Sequence, residues 1–93
     1  MDIELKAKWV EALRSGKFKQ IRGNLYERDG NCCLGVLCVV SGMPNDERLN
    51  DVHYTDELTN GLLGGFPSDT LWQLNDRDRK PFPEIADFIE ANL

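Results

Sequence analysis

Apolar residues recur at helical spacing in two stretches of the chain and crowd together in a third. Leu5, Trp9, Ala12 and Leu13 share one face of a helix that the spacing predicts over residues 2–15. Asp2 is placed to accept unpaired amides of the first turn, Arg14 suits the negative end of the helix dipole, and Gly16 is a stop signal. Phe82, Ile85, Ala86, Ile89 and Leu93 predict a last helix in the same way. Phe88 widens its stripe, and Pro83 sits in the first turn, where a missing N–H costs nothing. The crowded stretch is residues 33–41, Cys33-Leu34-Gly35-Val36-Leu37-Cys38-Val39-Val40-Ser41. Its valines favour a strand, whereas Leu34, Leu37, Cys38 and Ser41 form a helical stripe. Gly42, with Pro44 two residues on, is a helix stop and decides for helix.

The segments between these are less regular. Residues 17–23 are basic and polar, read as a loop or short extended segment anchored by Phe18 and Ile21. Asp29-Gly30 predicts a two-residue hairpin turn, joining about 24–28 to 31–33 with Glu27 opposite Cys32 and Tyr26 opposite Cys33. Residues 45–67 are rich in Asn, Asp, Gly and Pro, and only Val52-His53-Tyr54-Thr55 reads as a short strand. A long irregular stretch in a small domain is often functional, which makes this one a candidate binding surface. Ser68 is the expected N-cap of a short helix holding Leu71, Trp72 and Leu74, and residues 75–80 form a charged connector. The expected fold is α+β: one mostly helical domain over residues 1–93, with three or four short helices, a short β-hairpin and a loop-rich insert at about 45–67. Trp9, Leu13, Leu34, Leu37, Leu71, Trp72, Leu74, Ile85 and Ile89 are its expected core.

Charge changes the picture of partners. The net charge is −5, but residues 1–22 hold six basic residues against three acidic ones, whereas the rest holds five against thirteen. An acidic body speaks against duplex nucleic acid, whose binding rests on neutralising phosphates. The basic first segment leaves room for a smaller anion or an acidic protein surface. No apolar run approaches the ~20 residues that cross a bilayer, and the first residues lack the apolar stretch of a signal peptide. The expected location is cytoplasmic, with no membrane partner. Three cysteines, two of them adjacent, do not make a disulfide framework and are expected as reduced thiols.

Four constellations carry candidate chemistry. Cys33 at a helix start would be an activated nucleophile if a base such as His53, the lone histidine, reached it. The plainer reading makes Cys32, Cys33 and Cys38 core packing, since cysteine is among the most buried residue types. Their spacing does not fit the four ligands of a zinc site, and no pattern asks for a metal or other cofactor. Arg14, Lys17, Lys19, Gln20 and Arg22 form the best candidate anion or partner site, although cations at a helix C-terminus also serve its dipole. Asp46, Glu47, Asp51, Asp56 and Glu57 make a one-sided acidic stretch able to imitate a nucleic-acid backbone, or simply a solvated loop. Tyr54 and Phe66 are candidate apolar contacts, because aromatics concentrate at interface centres.

The strings "WVEALRSGKFKQ" from Trp9 to Gln20, "DGNCCLGVLC" from Asp29 to Cys38, "LND" from Leu74 to Asp76 and "EIADFIEANL" from Glu84 to Leu93 occur together. In this the chain resembles a family of small, mostly uncharacterised proteins of tailed bacteriophages and prophages. The resemblance covers about two thirds of the chain and stops at residues 45–67. It departs at Val39, where the pattern has an acidic residue, and at Pro81, where it has a serine helix cap. It carries no catalytic residues. It implies a phage setting, in which small accessory proteins bind and disable host components. The expectation is therefore an anti-defence binding protein that holds a host protein or a nucleotide signal, without catalysis. An oligomer is expected if the ligand is small, because one such domain has little room for a pocket of ~300 Å³. The alternatives are a small enzyme using Cys33 and, with less support, a nucleic-acid accessory protein.

Overall fold

The computed structural model spans residues 1–93 and describes all of them except the side chains of residues 52–56. The first helix, α1, is Ile3–Arg14; the Asp2 carboxylate accepts from the Leu5 amide at 2.8 Å, and Ser15 and Gly16 end it. One face buries Trp9, Val10 and Leu13, and the helix packs against the last helix, α5 (Phe82–Asn92), and against α2 (Cys33–Val40). The Trp9 indole N–H donates to the Cys33 carbonyl at 2.9 Å, tying the middle of α1 to the start of α2.

The crowded stretch is helical, and its two competing patterns have one cause. Residues 31–38 are buried without interruption, so α2 runs through the middle of the core rather than along its edge. A helix enclosed on all sides is apolar all round and shows no clean stripe. Gly42 closes it with a positive φ of 112°.

The β structure is smaller than the hairpin the sequence predicts. Strand β1 (Lys19–Gln20) and strand β2 (Gly30–Asn31) pair in parallel, Lys19 beside Gly30 and Gln20 beside Asn31. The turn between them falls one residue early: Arg28 and Asp29 take the positive φ values, 49° and 64°, and Glu27 and Gly30 exchange backbone hydrogen bonds at 3.1 and 2.8 Å. The expected pairing of Glu27 with Cys32 and Tyr26 with Cys33 does not form, because the chain has already entered α2 at Cys33.

Residues 45–67 are also more regular than their composition suggests. A 3-10 turn covers Glu47–Asn50, opened by Asp46, whose carboxylate accepts from the Arg48 amide at 2.9 Å. Helix α3 then runs over Val52–Leu62, where a short strand at 52–55 was expected. Leu58, Thr59, Leu62 and Leu63 lie at helical spacing on its inner side, whereas Asn60 and Gly61, the turn formers that hide the helix in the sequence, face solvent. Helix α4 (Ser68–Trp72) starts at Ser68 itself; Pro67 takes the cap position, and no side chain caps the helix. It widens into a π turn, Gln73–Arg77, closed by the Asp78 amide donating to the Gln73 carbonyl at 2.8 Å.

The result is a small, mostly helical α+β domain. Of the nine expected core residues, Trp9, Leu13, Leu34, Leu37, Leu71, Ile85 and Ile89 are buried. Trp72 is not: 40 % of it is exposed, and Leu74 only packs against the edge of the core. No helix among the described residues is long and apolar enough to cross a membrane.

Candidate functional site

Three asparagines shape the surface beside α2. Asn75, on the π turn, is fully buried, and all its hydrogen-bonding capacity is used. Its Oδ1 accepts from Gln20 Nε2 at 2.9 Å and from the Cys33 amide at 3.2 Å, while its Nδ2 donates to the Ile21 carbonyl at 2.8 Å and to an Asp76 oxygen at 2.7 Å. The Cys33 amide is an orphan donor of the first turn of α2, so Asn75 caps that helix from a distance. Asn50 grips the loop at 24–26: its Oδ1 accepts from the Leu25 and Tyr26 amides, both at 3.0 Å, and its Nδ2 donates to the Tyr26 carbonyl at 2.6 Å. Asn31 Nδ2 donates to the Leu25 carbonyl at 2.9 Å and to Asn45 Oδ1 at 2.8 Å.

Held in this way, the loop stands off α4 and leaves a cleft of about 480 Å³. Gly23, Asn24 and Leu25 form one wall, with Asn50 beside them. Cys32 and Leu34 lie at its base. The opposite wall carries Ser68, Asp69, Trp72 and Asp76. The Trp72 indole N–H donates to Asp69 Oδ1 at 3.0 Å, which orients the ring. The π turn swings Asn75 inward and Asp76 to the rim; an inserted turn of this kind is frequent at functional sites. Two carboxylates and an exposed aromatic ring therefore share one wall, and among the described residues no cation lines the cleft. Among the described residues, neither Asp69 nor Asp76 forms an ion pair. The cleft also exceeds the room expected of a single chain this small.

The residues singled out from the sequence lie elsewhere. Arg14 is engaged by Asp87 at 2.6 Å and Glu90 at 2.9 Å; Glu90 and Asp87 raise the Arg14 pKa, and the guanidinium in turn lowers that of Glu90. Gln20 is structural: besides Asn75 it donates to the Lys80 carbonyl at 2.8 Å and accepts from the Phe82 amide at 3.2 Å, stapling β1 to the start of α5. Lys17, Lys19 and Arg22 are exposed and form no ion pair among the described residues. Phe66 is half-buried, edge-on to Phe88 with ring centres 6.2 Å apart. The side chains of Tyr54 and His53 lie outside the described residues. Asp46, from the acidic stretch, is held at a pKa of about 2 by its hydrogen bonds to Arg48.

All three thiols are buried. Burial pushes Cys32 up to about 11 and Cys38 up to about 12, and it raises Cys33 well above the ordinary thiol range. Cys33 Sγ faces the Leu71 carbonyl at 3.4 Å, an acceptor and not a base. This is the reverse of the electropositive, part-exposed setting that activates a thiol. No three His, Cys, Asp or Glu side chains gather as a metal would require among the described residues.

The asparagine framework has one trace in the sequence. Leu-Asn-Asp occurs twice, at 49–51 and 74–76; the first asparagine holds the loop at Leu25 and Tyr26, and the second holds the Ile21 carbonyl just ahead of it. Over residues 1–61 the chain matches the model of a family described as Domain of unknown function (DUF8296), and it belongs to that family. The matched stretch contributes the loop, α2 and Asn50 and ends within α3; the wall bearing Trp72 lies beyond it. No curated protein and no solved structure matches the chain.

Proposed function

We propose that this member of the DUF8296 family is a phage-type accessory protein that works by holding a host protein, with the cleft beside α2 receiving a basic side chain of that partner. The observation that carries this reading is the wall that sets Trp72, 40 % exposed, between Asp69 and Asp76. A guanidinium stacks on an indole face and pairs with carboxylates in the same plane, and both interactions gain strength in a partly dewatered cleft. The net charge of −5 favours the same class of partner and speeds its encounter. The buried, proton-retaining thiols support holding over covalent catalysis.

A nucleotide signal is the second reading, and one observation favours it: Lys17, Lys19 and Arg22 are exposed without carboxylate partners among the described residues. The carboxylate-lined cleft would repel its phosphates, so such a ligand would use a different surface.

Capture from a bacterial host lysate on the immobilised chain, with identification by mass spectrometry, tests the two together. On the first reading Trp72→Ala weakens capture of the partner by about thirtyfold, the loss expected of an aromatic anchor worth ~2 kcal/mol. Free arginine competes, and nucleotides do not. Capture that survives both Trp72→Ala and Asp76→Asn would rule out the cleft. A thermal shift with nucleotides that disappears in Lys19→Glu would move the function to the basic segment.

A further inference from the structure

Only two large apolar side chains are strongly exposed among the described residues, Trp72 in the cleft and Ile3 at 82 %. Ile3 belongs to a second surface. An open groove of about 870 Å³ runs along the outer face of α1, with Ala7 and Val10 on its floor and Glu90 of α5 at one edge. Ile3, Ala7, Val10 and Arg14 follow one another at intervals of four, three and four residues. That is the spacing of a coiled-coil a/d seam, beside the stripe that faces the core: Ile3, Ala7 and Arg14 are exposed along it, and Val10, already buried, marks where the groove meets the core. Ala7 in the middle of the seam lets a second helix approach closely. Arg14 at its end is already neutralised by Asp87 and Glu90, so covering it leaves no isolated charge.

The flanks say what covers it. Lys6 and Glu11 line opposite edges of the groove. On the seam set by Ile3 and Ala7 they occupy a g position and the e position five residues later. In a parallel two-stranded pair, g of one helix meets the following e of the other. The face is therefore complementary to itself: Lys6 of each copy meets Glu11 of the other, twice by symmetry. We infer that α1 is a homodimer interface in which two copies of the chain pair in parallel along Ile3 and Ala7. A helix of twelve residues offers about two heptads, so the dimer belongs to the small, transient class of interfaces.

Sedimentation velocity over roughly 10 µM to 1 mM, the range of weak interfaces, reads the association directly. The mass is expected to rise from that of one chain toward that of two, and to fall back as added salt screens the flanking pairs. Lys6→Glu alone and Glu11→Lys alone each set like charges against each other at two places and should weaken the dimer about tenfold or more. Circular dichroism of each variant checks that α1 still folds. The decisive sample is an equimolar mixture of the two single variants. Each variant supplies the charge the other lacks, so the mixture should associate as the unaltered chain does. A chain that stays monomeric at 1 mM, or a mixture no better than its components, overturns the inference, the latter by showing that Lys6 does not meet Glu11 across the interface.

Discussion

Asn75 shows how much one buried polar side chain decides in a chain this short. It satisfies an orphan amide at the start of α2, the Ile21 carbonyl just ahead of the loop that walls the cleft and the Gln20 amide that leads to α5. Asn75→Ala would strip the Cys33 amide and the Ile21 carbonyl of this partner, while Gln20 keeps its bond to the Lys80 carbonyl. With a penalty of ~1–3 kcal/mol per unsatisfied group, we expect a loss of about 3 kcal/mol in denaturant unfolding. Asn75→Asp keeps the size and the acceptor but sets an oxygen against the Ile21 carbonyl and Asp76, so it should be no better tolerated. A loss below ~1 kcal/mol for both would show that the network does not hold the loop. In the sequence Asn75 looks like part of a charged connector. Charge density marks the exposed neighbours Arg77, Asp78 and Arg79, but it is silent on the one polar residue that the π turn directs inward.

At the scale of elements, α2 and the loop at 23–26 depend on each other through Gly35. A Cβ at this position would collide with the Leu25 carbonyl oxygen. Gly35→Ala therefore sets two effects in opposition. Alanine is worth ~1 kcal/mol more than glycine in a helix interior, whereas forcing a backbone segment aside costs ~1–3 kcal/mol or more. The collision is with backbone that Asn31 and Asn50 already hold, so it should win. We expect a net destabilisation of about 1–2 kcal/mol by thermal or urea unfolding, together with altered capture of partners, since the displaced loop is a wall of the cleft. A stabilised Gly35→Ala protein would contradict this packing. The helices α1 and α5 were legible because each meets solvent on one side and core on the other, which writes a stripe into the sequence. Helix α3 was not, because Asn60 and Gly61 are tolerated on its exposed face and look like turn residues in isolation.

For the molecule as a whole, the buried thiols set the response to pH. Exposed pairs such as Arg48 with Asp46 contribute above the unfolded carboxylate value near ~4 and lose their effect as pH falls toward about 2, but surface pairs of this kind matter little. The thiols act in the opposite direction. Their folded pKa values are raised, so their contribution is complete below the unfolded value near ~8.5 and is lost as pH rises through the folded values, about 11 for Cys32 and about 12 for Cys38. In that window each thiol that stays protonated in the fold costs stability as pH rises, by up to about 1.4 kcal/mol per pH unit. A urea midpoint that falls steeply above pH 8.5, and less steeply in Cys38→Ala, is the expected result; a flat midpoint to pH 10 would mean that water reaches the thiols. What the sequence determined alone is the part that local rules write: two amphipathic helices with their caps, a third helix stopped by Gly42 and Pro44, and a cysteine-rich centre serving as packing. These follow from periodicity and backbone chemistry within a few residues of each other. The cleft was decided only in three dimensions. Its walls come from residues 23–25, 50 and 68–76, and what joins them is a set of asparagine hydrogen bonds spanning 24 to 55 positions. An asparagine side chain has no periodic signature that tells a solvated turn from the one contact closing a distant loop.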